Sequence, residues 1–587
     1  MTKKKRLRKL RRSKEVEQSN GKTSVDIVQP RITLTNKGIL IEPGTELRFN
    51  NFGGVKIARP KVFSEAENKR KADFHLRSKY PTGTYKDTTQ INEILNYQVS
   101  YFEERVDKAL RAISSRFCLH FLFIQYDASK KIEKLYNDNQ LSETDREKWR
   151  NECSYTRRAY KFLCERIVML KPHIFDDCAA RETEIPDLYD EAIICAEELI
   201  AFSMHSDQTR YLFPEITEFT VLPEGDDIYW DLSLTDTRIT ESMTIDIQKR
   251  VAHDAKIRTS YFSGTAFDQD WEKHDEIIGE AFQKMSGMRY ATAVRSLAII
   301  PKMSRANDIG VCFIPQNRLI EGIAQNMNTA VAAVEKVVSG FVLSAENMSS
   351  DAKNFWNPKT IYRAYRRGLF EIGDGPSKHL TWSDSMFKES WFMLLISVAY
   401  GILPPEWSHP DLQVAVSKLQ NACGNWFEQV VLSQVKSLGL QAIRSRKSFG
   451  QGQSRIESLY GEIDLIAYCE RERLLVIGEC KMTMSGAEPR FFRDELDDFV
   501  RSKKSYASKF QKKVNWLIDN LSEVCKALES TNEFNCAIAP RTVAPIMVTF
   551  LPSISKYFIP EFPCVALSEF IVDYKTLGQW AYLKVEI

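Results

Sequence analysis

The sequence predicts a multidomain protein, with a large, mainly α-helical N-terminal region that carries minor β structure and a C-terminal α/β domain. Three observations predict this architecture. The chain has 587 residues, 43% of them hydrophobic, which is enough for several cores. Before about residue 410, apolar side chains recur at intervals of three and four, as in amphipathic helices. After the proline-rich residues 403–412, short strand-like runs alternate with helical patterns.

Composition divides the chain into four predicted parts. Residues 1–30 form a basic tail, 31–87 a small β-containing segment, 88–410 a mainly helical region, and 411–587 the α/β domain. Residues 1–14 hold nine basic side chains and no acidic one, whereas the whole chain has a net charge of only +3. A basic surface over the whole molecule is therefore excluded. The tail either contacts nucleic acid or another acidic surface, or stays solvated without an ordered partner.

The elements before residue 410 follow from periodicity and turn residues. Residues 37–63 contain short strands separated by glycine-rich turns, and residues 88–204 have long helical periodicity. A short β interruption is expected near residues 217–234, followed by helices through 236–288 and a long amphipathic stretch at 319–347. In the run TIYRAYRRGLF, residues 360–370, aromatic and arginine side chains alternate. The run indicates either an amphipathic helix or a surface that stacks on nucleic acid.

The pattern of cysteines and histidines indicates a protein in a reducing compartment and disfavours zinc sites. Twelve cysteines are scattered singly and form no CxxC pair, which is typical of reduced thiols in a cytosolic protein. The eight histidines show no ligand spacing, and none follows His409. The longest apolar run, residues 391–403, is too short to span a bilayer. We therefore expect a cytoplasmic protein that does not associate with membranes.

In the α/β domain, the sequence predicts one helix and then three strands. The helix is expected to begin at a Gly424-Asn425 turn and to end at Gly439, with Glu428 in its first turn. The first strand, LQAIRSRKSF, is followed by GEIDLIAY and RLLVIGECKM, which the tight polar turn CERER joins as a hairpin. A further helix is expected within residues 490–520, and VAPIMVTFL supplies a fourth strand.

Strand alternation places the acidic residues together. Successive side chains point to opposite faces, so Glu462 shares a face with Asp464, and Glu479 shares one with Lys481. Since neighbouring strands lie about 4.8 Å apart, the hairpin brings Asp464 beside Glu479. Two carboxylates and a backbone carbonyl suit Mg²⁺ or Mn²⁺, and a nearby lysine suits a metal-activated water or a phosphate. The opposite face is expected to pack against helices through Ile463, Leu465, Val476 and Cys480.

These residues resemble the PD-(D/E)XK nuclease superfamily, which has a restriction-endonuclease-like fold with an α-β-β-β-α-β core. The resemblance covers about residues 421–570, with Glu428 on the helix, Asp464 on the second strand and the triplet Glu479-Cys480-Lys481 on the third. The motif GEIDLIAY is similar to the corresponding motif of Holliday-junction-resolvase-like and Mrr-like members. The chain departs from RecB-like members, because Ser502 stands where a glutamine would precede Tyr506 by four residues.

The resemblance implies hydrolysis of phosphodiester bonds with Mg²⁺ or Mn²⁺. It assigns Asp464, Glu479 and the Cys480 carbonyl as metal ligands, and Lys481 to the attacking water. Glu428 would serve a second metal or its water shell, and Glu462 would have a supporting role. Basic residues around this site are expected to form a phosphate-binding rim, although helix stabilisation also explains part of the run at 501–513. The predicted rim residues are Arg444, Arg446, Lys447, Arg455, Arg501, Lys503, Lys504, Lys509, Lys512 and Lys513.

The function expected from the sequence is therefore a metal-dependent nuclease, an endonuclease more than an exonuclease, with DNA favoured over RNA. The helical region is expected to serve in sensing, in substrate selection or in assembly. Analogy with the superfamily suggests a role in antiviral host defence or DNA processing. Cutting both strands in one event is simplest with two active sites, so a homodimer or larger assembly is expected. The alternative is a non-catalytic nucleic-acid-binding or scaffold protein that keeps the nuclease fold.

Overall fold

The computed structural model describes most of the chain beyond its N-terminal tail. The residues described are 30–35, 38–43, 47–113, 115–153, 155–170, 184–212, 217–225, 228–234, 237–262, 264–305, 311–349, 362–373, 375, 378–450, 455–484, 489–531 and 533–587. The predicted basic tail lies outside these ranges except for its last residue. The described residues confirm a predominantly helical chain with several small sheets.

The N-terminal part folds around one large apolar core. Its strands are β1 (Pro30–Thr35), β2 (Gly38–Pro43), β3 (Arg48–Phe52), β4 (Val55–Arg59), β5 (Gly83–Tyr85), β6 (Thr217–Val221) and β7 (Trp230–Leu234). Its helices are α1 (Val62–Arg77), α2 (Thr88–Ala112), α3 (Ser115–Asn137), α4 (Glu143–Glu152), α5 (Thr156–Met169) and α6 (Ile185–Asp207). The apolar stripes of α2, α3, α5 and α6 supply most of this core, which confirms the predicted helical periodicity and the β interruption.

A second core lies in residues 267–423. The elements between β7 and residue 400 are α7 (Thr237–Ile257), α8 (Trp271–Ser286), α9 (Tyr290–Leu297), α10 (Ile300–Arg305), β8 (Val311–Pro315), α11 (Gln316–Met327), α12 (Val331–Ser339), β9 (Val342–Leu343), α13 (Ala345–Ser349), β10 (Leu369–Ile372), β11 (His379–Ser383) and α14 (Asp384–Ala399). The four strands form one sheet in the order β8-β11-β10-β9. The stretch predicted as continuous at 319–347 is divided, because Asn328 adopts a left-handed φ of 49° that ends α11.

The residues from 362 to 370 are not helical, which makes the predicted amphipathic helix wrong. They form a turn that leads into β10, and their arginines face inward. Arg363 pairs with Glu165 at 2.9 Å, and Arg367 is 1% exposed and pairs with Glu406 at 2.7 Å. Arg363 is half-buried. Because both arginines are held by acids of the same chain, the alternation of arginine and aromatic residues serves internal packing.

The C-terminal part begins with α15 (Pro410–Ser437), which connects two cores. Leu412 and Leu419 pack in the second core, whereas Phe427 and Val431 pack on the C-terminal sheet. The turn predicted at Gly424 is wrong, because the helix passes through that position. The remaining elements are β12 (Gln441–Arg446), β13 (Ser448–Phe449), β14 (Ile456–Glu457), β15 (Ile463–Cys469), β16 (Leu474–Lys481), α16 (Pro489–Leu496), α17 (Tyr506–Asp519), α18 (Leu521–Glu529), β17 (Thr542–Thr549), β18 (Cys564–Ala566), α19 (Leu567–Leu577) and β19 (Val585–Glu586).

The C-terminal sheet has the strand order β12-β15-β16-β17-β18, with β19 paired to the start of β17. The predicted hairpin is confirmed, since β15 and β16 pair antiparallel with Ile466 opposite Ile477. One face packs on α15 and α19, and the other packs on α17 and α18. Leu465, Val476 and Cys480 lie on the first face as predicted. Ile463 instead packs on the α17 side, at the point where β15 begins.

The described helices include none that is long and apolar enough to cross a membrane. The eleven cysteines in the described ranges are all free thiols, and ten of them are buried. They therefore act as small apolar side chains in the cores, in agreement with the reduced state predicted from their spacing.

Candidate active site

The site is built where the β15–β16 hairpin opens. Backbone pairing between the two strands ends at Leu465 and Gly478, although β15 starts two residues earlier and β16 continues to Lys481. In place of the next pairing, the Asp464 carboxylate accepts a hydrogen bond from the Cys480 backbone N–H at 2.9 Å. The carboxylate is therefore held between the strands by main-chain geometry.

Gly478 allows the two strands to approach at the last paired position. A Cβ atom at this residue would lie 2.9 Å from the Leu465 Cβ atom, closer than such atoms pack. The position therefore requires glycine for space. Directly beyond it, Glu479 and Lys481 share one face of β16, as strand alternation predicts.

Two acids and two lysines form a compact group, which we call the acid–lysine cluster: Asp464, Glu479, Lys481 and Lys513. Lys481 Nζ lies 2.7 Å from Glu479 Oε1 and 3.7 Å from Asp464 Oδ2. Lys513 Nζ lies 2.7 Å from Glu479 Oε2. The Glu479 side chain is 6% exposed and the Lys513 side chain 9% exposed, so their ion pair is shielded from water.

The electrostatics of the cluster are dominated by burial. Burial and the neighbouring Glu479 charge raise the pKa of the Asp464 carboxyl to about 7, against the opposing effect of Lys481. For Lys481, burial lowers the pKa, but the charges of Glu479 and Asp464 outweigh it and raise the pKa above its usual value. The site therefore holds a firmly charged lysine beside a carboxyl group that titrates close to neutral pH.

Lys513 was predicted on the phosphate-binding rim, and the structure places it inside the cluster instead. It lies seven residues after Tyr506 on α17, so the two side chains share a helical face. That face is turned to the sheet, and the Tyr506 ring centroid is 5.1 Å from Lys481 Nζ. The seven-residue spacing from Tyr506 to Lys513 can be read from the sequence. It does not show which lysine of the basic run points towards the sheet.

Glu428 forms an ion pair with Arg444. Its carboxylate lies 3.2 Å from Arg444 Nε, and the same guanidinium donates to Asn425 Oδ1 at 2.8 Å. Glu428 still influences the site, because its charge contributes to the raised pKa of the buried Cys480 thiol, after burial itself and Asp464. Its role at a metal remains a prediction.

Glu462 lies apart from the cluster. β15 begins only at Ile463, so the alternation that would align Glu462 with Asp464 does not extend to it. Its side chain is exposed and lines an open groove of about 700 Å³ along the edge strand β12, together with Asn425 and Arg444. The supporting role of Glu462 stays a prediction.

The other predicted rim residues are mostly exposed. Lys447 pairs with Glu457 at 2.7 Å, and the side chain of Arg446 lies outside the described residues. The exposed members are Lys447, Arg455, Arg501, Lys503, Lys504, Lys509 and Lys512. Lys509 lies nearest to the cluster by its contacts, with its Nζ atom 5.8 Å from the Tyr506 ring centroid.

The donor set was compared with what a divalent cation requires. Over the described ranges, no group of three or more histidine, cysteine, aspartate or glutamate side chains is arranged to hold a metal ion. Asp464 and Glu479 do supply two hard oxygen ligands on neighbouring strands, which is the number that Mg²⁺ commonly takes from protein carboxylates. The pair therefore suits Mg²⁺ or Mn²⁺ in its ligand chemistry.

No protein-family model matches this sequence, and neither a curated protein nor a solved structure shows a significant match to the chain.

Proposed function

We propose that the C-terminal α/β part of this chain is a metal-dependent nuclease that hydrolyses phosphodiester bonds, with Asp464, Glu479 and Lys481 as its catalytic residues. The observation that supports it best is the acid–lysine cluster itself. Two carboxylates and a lysine from neighbouring strands converge where the hairpin opens, with the order and spacing that the nuclease resemblance requires.

A bound Mg²⁺ or Mn²⁺ would be held by Asp464 and Glu479, with the Cys480 carbonyl as the expected third ligand. Such an ion supplies Lewis-acid stabilisation of the phosphate and an acidified water. The residues of the chain contribute the rest. The Cys480 N–H fixes the Asp464 carboxylate, and the pKa of that carboxyl, about 7, means that a proton leaves it when a cation binds.

In this proposal, Lys481 acts on the reacting groups. Its pKa is raised, so it stays protonated at neutral pH and presents a fixed positive charge. That charge orients a water molecule and stabilises the negative charge that grows on a phosphate during hydrolysis. Lys513 pairs with Oε2 of Glu479, the oxygen that Lys481 does not contact, and thereby positions that carboxylate.

The helical region is proposed to regulate or direct this site. α7 presents three residues at four-residue spacing to the C-terminal part. Arg250 binds Glu569, with a 2.7 Å contact from its second nitrogen, while Asp246 accepts from the Tyr557 hydroxyl and Asp254 from the Ser568 hydroxyl. These polar contacts join the two parts, and through them the helical region would control the nuclease. DNA as substrate, endonucleolytic cutting, a homodimer and antiviral defence belong to the same proposal and rest on the resemblance.

The experiment is a cleavage assay with the purified full chain. Linear, circular, branched and single-stranded DNA, and RNA, are incubated with Mg²⁺, Mn²⁺ or EDTA. We expect metal-dependent cleavage that Asp464→Asn and Lys481→Met each abolish, whereas Glu470→Gln, at an exposed acid in the turn between β15 and β16, retains it. The proposal is refuted if Asp464→Asn and Lys481→Met both behave as the wild type does on every substrate.

One observation favours the alternative of a non-catalytic binding protein. Both oxygens of Glu479 are already paired with lysines, and Glu428 is paired with Arg444, so the acids are neutralised within the protein. A chain that binds nucleic acid equally with Mg²⁺ and EDTA, and cuts nothing, would establish that alternative. Cleavage that depends on Asp464 would exclude it.

A further inference from the structure

Two large side chains project into solvent just before the strand that carries Asp464. Leu459 is 80% exposed, the highest value for any large hydrophobic side chain in the described ranges, and its neighbour Tyr460 is 50% exposed. Single exposed apolar residues are ordinary, but two in succession beside a candidate active site are not explained by packing. We call this pair the exposed tip.

The exposed tip stands on a fixed base. Ser458, the residue before it, is buried, and its N–H donates to the Lys447 carbonyl at 2.8 Å. Its hydroxyl in turn accepts the Tyr460 N–H at 3.3 Å. The β13–β14 hairpin below is anchored through Phe449, whose buried ring stacks on Trp516 with centroids 6.2 Å apart. The two side chains are therefore presented by ordered backbone.

The base of the tip and the acid–lysine cluster share the same helix. Trp516 follows Lys513 by three residues on α17, so the anchor of the tip and the partner of Glu479 are one turn apart. Tyr460 also precedes Asp464 by only four residues, which limits their Cα separation to about 14 Å. That is the span of about four nucleotides along a strand at 3.4 Å each.

We propose that the exposed tip contacts the bases of the nucleic acid next to the phosphate that is cleaved, with Leu459 as a wedge between bases and Tyr460 as a stacking surface. This inference rests on the proposed nuclease function. Apolar side chains such as leucine unstack base steps, and aromatic rings stack on single bases without sequence preference. The charges on and just before the helix that anchors the tip favour nucleic acid over a second copy of this chain, because residues 501–513 carry five exposed basic side chains and no acidic one.

The consequence is a preference for a class of substrate. A wedge and a stacking ring gain most where a base is already unpaired, since the cost of unstacking is then smallest. The preferred substrate is therefore nucleic acid with a boundary between paired and unpaired strands, such as a fork, and not a continuous duplex. Recognition would be of structure and not of sequence.

The test measures binding in an Asp464→Asn background, so that it does not depend on cleavage. Two fluorescent DNA probes are titrated: a continuous duplex, and a fork that places 2-aminopurine at the first unpaired position. Adding Leu459→Ala and Tyr460→Ala together should weaken fork binding about 5- to 100-fold and duplex binding less than about twofold. Tyr460→Phe should retain fork affinity and 2-aminopurine quenching. Phe74→Ala, which removes a 79% exposed ring from α1, is the matched control and should change neither.

The outcomes separate this inference from the proposed function. If the double variant binds both probes as tightly as its parent, or loses affinity equally for both, the inference is wrong. The nuclease proposal then still stands or falls on Asp464-dependent cleavage in the wild-type chain. If the parent binds no DNA or RNA of any form, both are wrong.

Discussion

Replacing Asp464 by asparagine should stabilise the metal-free protein, and the gain should grow with pH. Asparagine keeps an oxygen that accepts the Cys480 N–H but removes the charge that burial opposes. In the folded protein the pKa of Asp464 is about 7, against 3.8 for an unperturbed aspartate. The folded form therefore holds its proton to a higher pH than the unfolded form, and wild-type stability falls as pH rises from about 4 to about 7.

The size of this effect follows from the shift. About three pKa units correspond to about 4 kcal/mol at 1.36 kcal/mol each. The expected effect is therefore about 2 to 4 kcal/mol. Relative to wild type, Asp464→Asn should thus gain this amount between pH 4 and pH 8, and no more above pH 8.

The assay is urea unfolding in EDTA at several pH values, followed by hydrogen exchange of peptides from β15 and β16. Reading these peptides separates the sheet from the helical region, which need not unfold with it. Asp519→Asn, at an exposed aspartate at the end of α17, is the control for the substitution itself. A constant difference for Asp464→Asn would refute the reasoning.

Three further changes test the packing around the site. Gly478→Ala should destabilise the β15–β16 sheet by about 1 to 3 kcal/mol in urea unfolding, because its Cβ atom meets Leu465, whereas Gly424→Ala on α15 meets no atom within 4 Å and should be neutral or stabilising. Lys513→Met should cost about 2 to 4 kcal/mol in the same assay, since it leaves one Glu479 oxygen unpaired, and should tighten Mn²⁺ binding in calorimetry; a loss as small as that of an exposed lysine variant would contradict the pairing. Arg250→Met should cost about 2 to 4 kcal/mol and increase hydrogen exchange in α19, where Glu569 lies; unchanged exchange would show that this contact does not join the two parts.

Most elements around the site could be predicted from the sequence, but not every contact partner within it. Period-two alternation and a tight turn predicted the hairpin, and the structure brings Asp464 and Glu479 together there. The prediction of Lys513 on the phosphate-binding rim is wrong. A run of basic residues shows that a helix is positively charged, but which face of that helix is buried depends on how α17 packs on the sheet. The sequence predicts a turn at Gly424, because glycine and asparagine favour turns. The packing of α15 on two cores overrides that preference.

The helical region holds the backbone on the far side of the site as well. The Tyr400 hydroxyl donates to the Thr483 carbonyl at 3.0 Å, two residues after Lys481. Arg258 lies over the Phe550 ring, 5.1 Å from its centroid, and the Phe550 N–H donates to the Lys481 carbonyl at 3.0 Å. Two contacts from residues 237–400 thus converge on the few residues around Lys481. For the regulatory role that we propose for the helical region, these contacts are the first to alter, because a ligand shifts an equilibrium only through interactions that differ between two states.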